Sequence, residues 1–356
     1  MKIYLCGALV HGIGLYCNVW FGAHHKHDSN QVVSTLLHVL GDLLQRKGFL
    51  PPTLRIQADN CTCKNKNIYM FALCATLVGL GFFREVELSF LIVGHTHEDI
   101  DQRFSCISSM LKRSDVDSLK EMLNLIQRGT SPTEAFVSAR LLENVWDWKL
   151  FIIPHLLTGP DSLVGITFPH HMRFYMDNRE GVHEVRVQHK HYCKDPWGPE
   201  AGTKTLRSLP SREERPTFAE VFAADERELK ALDDFITYKE RCIQRFQHED
   251  KNREAKREAE KLKLYLAEFP HKDRTNDHRA SQFWPSEVSN TTSTERATLD
   301  VTAGQREENR EIAAVDQIVD LLPNAEARGY FGPRKDRPSN RAVRRAQRME
   351  RNHVKE

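Results

Sequence analysis

The sequence predicts a mixed α/β fold, in which helices cover a sheet of parallel and antiparallel strands. Two short apolar runs near the start, separated by a glycine-containing turn, are typical of a β-hairpin. Helical and strand-like periodicities then alternate along the chain as far as Leu111. A hairpin followed by alternating helices and strands is typical of a mixed sheet with helices on its faces.

The elements of this sheet follow from local spacing. Apolar residues recur at helical spacing from Val32 to Leu44, and Asp28-Ser29-Asn30 offers a helix cap before them. Gly48 and Pro51-Pro52 then end that helix. In chain order, the sequence predicts strands at 3–10 and 15–21, a helix up to 48, a strand at 54–58, a helix at about 67–80, a strand at 86–93 and a helix over 100–111.

The rest of the chain is less regular. The predictions are short helices at 115–150, a β pair at 164–175 and 182–192, a long charged helix or a helical pair at 217–269, and a short helical candidate at 310–322. From Pro270 onward the composition is polar and poor in aromatic residues. Such a segment cannot bury enough apolar area to offset its chain entropy, so disorder is predicted there.

These patterns divide the chain into four predicted parts. Residues 1–130 form the α/β domain, and residues 131–200 form a small extension of helices and a β-hairpin. Residues 215–269 form a charged helical region, which is a candidate surface for oligomer formation. Residues 270–356 form a mostly disordered tail that ends in clusters of basic residues.

Composition limits the compartment and the partners. No run approaches the ~18 apolar residues of a membrane span, and no segment resembles a signal peptide. The eight cysteines are scattered, without paired zinc-finger spacing, so a reducing compartment is predicted, nucleus or cytosol, with no membrane partner. DNA is the predicted partner of the basic residues. Those singled out are Lys64 and Lys66 in a polar turn, and Arg344, Arg345 and Arg348 in the tail.

The densest group of chemically capable side chains lies where a buried strand leads into an amphipathic helix. The segment from Ser89 to Ser105 reads S-F-L-I-V-G-H-T-H-E-D-I-D-Q-R-F-S. Helix capping, with Thr96 and Asp99 as a capping-box variant, accounts for one or two of these groups. It does not account for all five, which are His95, His97, Glu98, Asp99 and Asp101.

Asp59 is the second candidate, because it directly follows the predicted strand Leu54 to Ala58. An aspartate in this position is often only a turn residue. However, the acids from Glu98 to Asp101 follow the neighbouring strand, so both groups are predicted to meet at one edge of the sheet. Paired carboxylates favour Mg²⁺ or Mn²⁺ and phosphoryl transfer, with His95 and His97 as further ligands or phosphate-orienting groups.

Two enzyme classes are compatible with this arrangement. A metallophosphoesterase shares the G-H-T-H element, but the sequence lacks the additional Asp-x-His, Gly-Asp and Asn-His pairs that such a site needs. A ribonuclease-H-like fold, as in DDE transposases and integrases, fits the element order better. In it Asp59 takes the place of the second carboxylate, and one of Glu98, Asp99 and Asp101 that of the third.

Four motifs add a family resemblance. They are L-V-H-G-I-G-L-Y at 9–16, A-D-N at 58–60, K-N-K-N-I-Y at 64–69 and V-G-H-T-H-E-D-I-D-Q-R-F-S at 93–105. Over roughly residues 3 to 200 the chain resembles a eukaryotic family of unknown function found in transposon-like, multicopy genes. The resemblance implies a transposase-derived, ribonuclease-H-like domain.

One departure from that fold concerns its first strand, which is central and carries the first carboxylate. No Asp or Glu precedes Asp28, so the two predicted strands of the hairpin carry none. We therefore expect a gap between two inner strand edges, and insolubility of residues 1–200 alone. The predicted function is a decayed or domesticated transposase-like protein with weak Mn²⁺ binding and no DNA cleavage. The alternative is a non-catalytic scaffold or nucleic-acid-binding protein.

Overall fold

The structure is a computed structural model, and it describes residues 2–91, 99–129, 136–158, 163, 165, 168–178, 183–245, 250–272 and, as backbone, 318–322. It confirms a mixed α/β fold. The strands are β1 (Ile3–Val10), β2 (Gly14–Phe21), β3 (Thr53–Ala58), β4 (Glu85–Phe90), β5 (Val137–Leu141), β6 (His171–Asp177), β7 (Glu184–Lys190), β8 (Gly198–Thr203) and β9 (Ile318–Leu322). The helices are α1 (Ser29–Lys47), α2 (Ile68–Gly79), α3 (Asp99–Arg113), α4 (Leu119–Gly129), α5 (Trp148–Ile152), α6 (Glu226–Arg245) and α7 (Asp250–Glu268).

The described strands form one sheet in the order β5-β2-β1-β9-β3-β4-β6-β7-β8. The hairpin partners β1 and β2 are antiparallel, whereas β3 and β4 are parallel, as expected for strands joined through a helix. The β6–β7 hairpin pairs with β4 and so continues this sheet. The sequence instead predicted this hairpin as part of a small extension at residues 131–200. Strands β5 and β8 were not predicted at all; β5 lies where only helices were expected.

The expected gap beside β1 is not found, because β9 fills it. This strand is antiparallel to β1, with Val319 opposite Val10, and parallel to β3, with Asp320 opposite Gln57. The predictions of a helix and of disorder are therefore wrong for residues 318–322; the remainder of the tail, from 273 onward, lies outside the described residues. A short apolar run has no decisive period of its own, and two unpaired strand edges select the extended form.

The central helices follow the sequence prediction closely. Asp28 caps α1: its side chain accepts a hydrogen bond from the backbone N–H of Asn30 (2.9 Å), and Gln31 completes a capping box. Gly48 ends the helix in the left-handed conformation that glycine tolerates best. The helices α1 and α2 pack on the sheet face that carries Ala8 and Ala58, where the main core lies.

The helix α3 packs on the opposite face of β1. A Cβ atom added at Gly7 would lie 2.6 Å from Phe104 Cζ and 3.3 Å from Ile100 Cδ1, which leaves no room for a side chain there. Glycine at this position therefore lets α3 approach the backbone of β1 closely. This contact fixes the position of the acidic first turn of α3 relative to the centre of the sheet.

The charged region folds as two helices, α6 and α7, so the single long helix is wrong and the helical pair is correct. Ion pairs join Glu240 to Lys256 and Asp233 to Lys263, in opposite order along the two helices, which are therefore antiparallel. Phe21 of β2 packs with Leu232 and other apolar residues of the pair. None of the described helices is long and apolar enough to cross a membrane.

A nearly buried ion pair fastens this helical pair to the segment before α4. Lys239 Nζ lies 2.7 Å from Asp117 Oδ2, with side-chain exposures of 8% and 16%, and it also donates to Asn252 Oδ1 (3.2 Å). Asp117→Ala is expected to lower the free energy of unfolding by about 3 kcal/mol, because it leaves a buried ammonium without its carboxylate. Glu254→Ala, which breaks the exposed ion pair with Lys120, is the control and should lower the free energy of unfolding by less than ~0.5 kcal/mol. Urea titration measures both values. Equal losses of unfolding free energy in the two variants would show that burial of the ion pair does not determine its contribution to stability.

Candidate metal centre

The site is built around Asp59, the residue after β3. Its Oδ1 accepts hydrogen bonds from the backbone N–H of Cys61 (3.0 Å) and from Asn65 Nδ2 (2.7 Å). The first contact is the turn that an aspartate forms with its own backbone two residues on. The second brings a fully buried amide from the far end of the turn onto the carboxylate. Among the described residues, no hydrogen bond reaches Asp59 Oδ2.

The turn itself is closed by backbone hydrogen bonds that converge on one carbonyl. The carbonyl oxygen of Cys61 accepts from the N–H groups of Lys64, Asn65 and Lys66 at 3.2, 2.8 and 3.1 Å. Asn67 then caps α2, because its Oδ1 accepts hydrogen bonds from the N–H groups of Tyr69 and Met70 in the first turn of the helix. The geometry at Asp59 therefore depends on the turn's backbone as well as on side chains.

Asn60 joins this turn to the end of the neighbouring strand. Its Nδ2 donates to the carbonyl of Leu91, directly after β4, and its Oδ1 accepts from Lys66 Nζ at 3.1 Å. The Lys66 ammonium lies 5.1 Å from the centre of the Phe90 ring. Residue Lys66 is 4% exposed, and burial lowers the pKa of its ammonium. It ties two strand ends together inside the protein, which disfavours the predicted direct contact with DNA.

The structure brings Asp101 into electrostatic range of Asp59 and thereby distinguishes it from Asp99, whereas Glu98 lies outside the described residues. Burial is the largest cause of the raised pKa of Asp59, and the negative charge of Asp101 raises it further. The two hydrogen bonds and the half-buried Lys64 act in the opposite direction. Asp99, the first residue of α3, is exposed to solvent. Asp101 is therefore the described partner of Asp59 at the edge of the sheet.

The donor set suits a hard cation such as Mg²⁺ or Mn²⁺, which prefer oxygen ligands. Asp59 offers its unbonded Oδ2, and Asp101 contributes a nearby negative charge. Asn65 Oδ1 is buried and has no hydrogen-bond partner among the described residues, an arrangement that is costly unless another group satisfies it. The described residues contain no group of three or more His, Cys, Asp or Glu side chains placed to hold a metal.

The other predicted site residues divide into two groups. His95, His97 and Glu98, together with the proposed cap Thr96, lie outside the described residues, as do the tail arginines Arg344, Arg345 and Arg348. Lys64 is described, and its charge favours the ionised form of Asp59. Its predicted contact with DNA stays a prediction.

The sequence reasoning assigned no role to Asn60 and Asn65. Both lie inside the motifs at 58–60 and 64–69, but spacing alone does not indicate that Asn65 folds back onto Asp59. A cysteine and a histidine also meet at the β6–β7 hairpin. Cys193 Sγ lies 3.2 Å from His171 Nε2 across the β6–β7 hairpin.

Comparisons with known proteins give one match. A family model described as Domain of unknown function (DUF7869) matches residues 1–195. No curated protein and no solved structure matches the chain.

Proposed function

The chain belongs to the DUF7869 family of domains of unknown function, and we propose that it is a transposase-derived domain with a ribonuclease-H-like arrangement and a divalent-metal site for phosphoryl transfer on DNA. The observation that carries the proposal is that the negative charge of Asp101 contributes to the raised pKa of Asp59. Two carboxylates that follow neighbouring strands and lie close enough to repel each other are what a divalent cation offsets.

The strand order supports the ribonuclease-H-like arrangement. In that fold the order is three, two, one, four, five, with strand one antiparallel to strand two and parallel to strand four. The series β2-β1-β9-β3-β4 has this order and these directions when β9 takes the place of strand one. The helices α1, α2 and α3 follow β2, β3 and β4, which take the places of strands three, four and five, as the analogy requires.

The backbone register supplies a further acid for the same edge of the sheet. Asp320 of β9 is opposite Gln57, two residues before Asp59, so positions 320, 57 and 59 belong to one face by the alternation of a strand. In this proposal, position 320 of β9 stands where the ribonuclease-H-like fold has its first carboxylate, which the hairpin strands lack. The expectation of an inactive remnant depended on the absence of that acid, and we now propose activity for the full chain.

Each residue of the proposed site would have a separate role. Asp59, Asp101 and the unpartnered oxygen of Asn65 hold the ion, which when bound polarises a phosphate oxygen and lowers the pKa of a water molecule. The hydrogen bonds from Cys61 and Asn65 orient the Asp59 carboxylate. Lys64 brings a positive charge to the same turn, where it attracts the DNA phosphate.

The full chain tests the proposal through two neighbouring acids. Asp101→Asn is expected to weaken Mn²⁺ binding about tenfold or more, because it removes a carboxylate that acts together with Asp59. Asp99→Asn is the matched control: it removes the same charge two residues away from an exposed position, and it should leave binding unchanged. Isothermal titration measures the affinity, and nicking of supercoiled DNA with Mn²⁺ measures the chemistry.

Three outcomes would count against the proposal. Equal losses in the two variants would mean that general charge, not the contact with Asp59, attracts the ion. Mn²⁺ binding without any nicking would reject phosphoryl transfer. DNA binding that is insensitive to Mn²⁺ and to Asp101→Asn would favour a nucleic-acid-binding scaffold instead.

A further inference from the structure

We propose that Cys61 and Cys63 form an oxidation site at which a peroxide converts two thiols of the Asp59 turn into an intraloop disulfide. The two Sγ atoms lie 3.2 Å apart. Cys63 is exposed and Cys61 is partly buried, so a small oxidant in solvent reaches the first thiol while the second lies directly behind it. The core thiols Cys6, Cys17 and Cys74 are buried and do not meet an oxidant in this way.

The step from thiol pair to disulfide needs only a small movement. A disulfide places its sulfur atoms about 2.0 Å apart, so the Sγ atoms must approach by roughly 1 Å. The two residues are separated only by Thr62, which is exposed to solvent like Cys63. The approach therefore involves the backbone of the turn and no rearrangement of the sheet.

The chemistry balances with hydrogen peroxide as the oxidant. The Cys63 sulfur attacks one peroxide oxygen, the O–O bond breaks, and the leaving hydroxide takes a proton and departs as water. Cys61 then attacks the sulfur of the resulting sulfenic acid, and the S–O bond breaks as a second water forms with the Cys61 proton. Two electrons pass from the sulfur atoms to the peroxide.

Oxidation at this position acts on Asp59 through the backbone of Cys61. The N–H group of Cys61 donates to Asp59 Oδ1, and its carbonyl accepts from three N–H groups of the same turn. Cys63 is also fixed, because its carbonyl accepts from Ser29 Oγ at 3.3 Å. Drawing the two sulfurs together displaces at least one of these groups. Provided that the proposed function holds, the oxidised chain binds Mn²⁺ about tenfold or more weakly, the usual cost of losing an orienting contact.

Peptide mass measurement of the full chain gives a direct test, because trypsin releases Ile56 to Lys64 with both cysteines and no others. After peroxide treatment of the folded chain and alkylation, this peptide should have lost two hydrogen atoms and carry no alkyl group. Dithiothreitol should restore two alkylation sites. Cys106→Ser, which removes an exposed thiol elsewhere, is the matched control and should give the same result.

The variant Cys63→Ser separates the oxidation site from the metal centre. It should lose the intraloop disulfide and keep Mn²⁺ binding after peroxide. The proposal would be overturned by a wild-type peptide in which Cys63 is oxidised to sulfinic acid while Cys61 is still alkylated. It would also be overturned if Cys61 and Cys63 both stayed free thiols after Cys106 had been fully oxidised. A disulfide in a chain that never binds Mn²⁺ would instead keep the oxidation site and reject the proposed function.

Discussion

Asp59→Asn is expected to abolish Mn²⁺ binding and DNA nicking while it makes the folded chain more stable at neutral pH. The binding loss should exceed ~100-fold, beyond the range for supporting contacts, because the change removes the central carboxylate of the site. The asparagine oxygen can still accept from the Cys61 N–H and Asn65 Nδ2 groups. The turn is therefore expected to keep its shape, so the loss reports on charge.

The gain in stability follows from the raised pKa of Asp59, caused first by burial and then by the charge of Asp101. A carboxyl group whose pKa is higher in the folded state than in the unfolded state stabilises the fold fully when the pH is below the unfolded-state pKa. That contribution is lost as the pH rises through the folded-state pKa. At neutral pH the ionised form therefore costs stability, and asparagine removes this cost. The stability difference between variant and wild type should shrink as the pH falls through the raised pKa towards 3.8, the ordinary pKa of an aspartate.

Urea titrations of both proteins measure this difference. They should cover about pH 4 to pH 8, the range over which an elevated carboxyl pKa affects stability. Asp99→Asn, at an exposed position, is the control. An Asp59→Asn chain that is less stable than wild type at neutral pH would mean that the charged hydrogen bonds outweigh burial. Retained Mn²⁺ binding by this variant would place the metal elsewhere.

Val319→Pro is expected to disrupt the whole sheet. Residue 319 lies in β9 between β1 and β3, so its N–H group has a neighbouring strand on either side and no solvent-facing edge. Proline removes that donor and clashes within the ladder, and each buried unsatisfied partner costs about 1–3 kcal/mol. Since a typical domain has about 5–15 kcal/mol of net stability, the variant should be molten or aggregated.

Val315→Pro is the matched control, because it introduces the same residue just before β9 and leaves every described pairing of the strand intact. It should lower the free energy of unfolding far less than Val319→Pro, because β9 keeps its backbone hydrogen bonds. Size-exclusion chromatography and the cooperativity of thermal unfolding distinguish the two variants. Equal behaviour would show that β9 does not hold the centre of the sheet. The chain truncated after residue 272 lacks β9 and should be as insoluble as predicted for residues 1–200.

Local patterns in the sequence were sufficient for the elements that organise the first half of the chain. The helical spacing from Val32 to Leu44, the cap at Asp28 and the stop at Gly48 define α1 without reference to any other segment. Similarly, Asp59 could be recognised as a residue directly after a strand. These features depend on neighbours within a few residues, which is the range over which hydrogen-bond capping and side-chain periodicity act.

Only the tertiary structure decided which segments and side chains meet. The run at 318–322 has no period that separates helix from strand, and the open edges of β1 and β3 determine that it is β9. Asp99 and Asp101 are both acids in the first turn of α3, and of these two only Asp101 affects the pKa of Asp59 through its charge. The hydrogen bond that Asn65 donates to Asp59 likewise depends on the conformation of the whole turn. Contacts between distant segments follow from shape and unpaired backbone groups, and neither is written in the local pattern of residues.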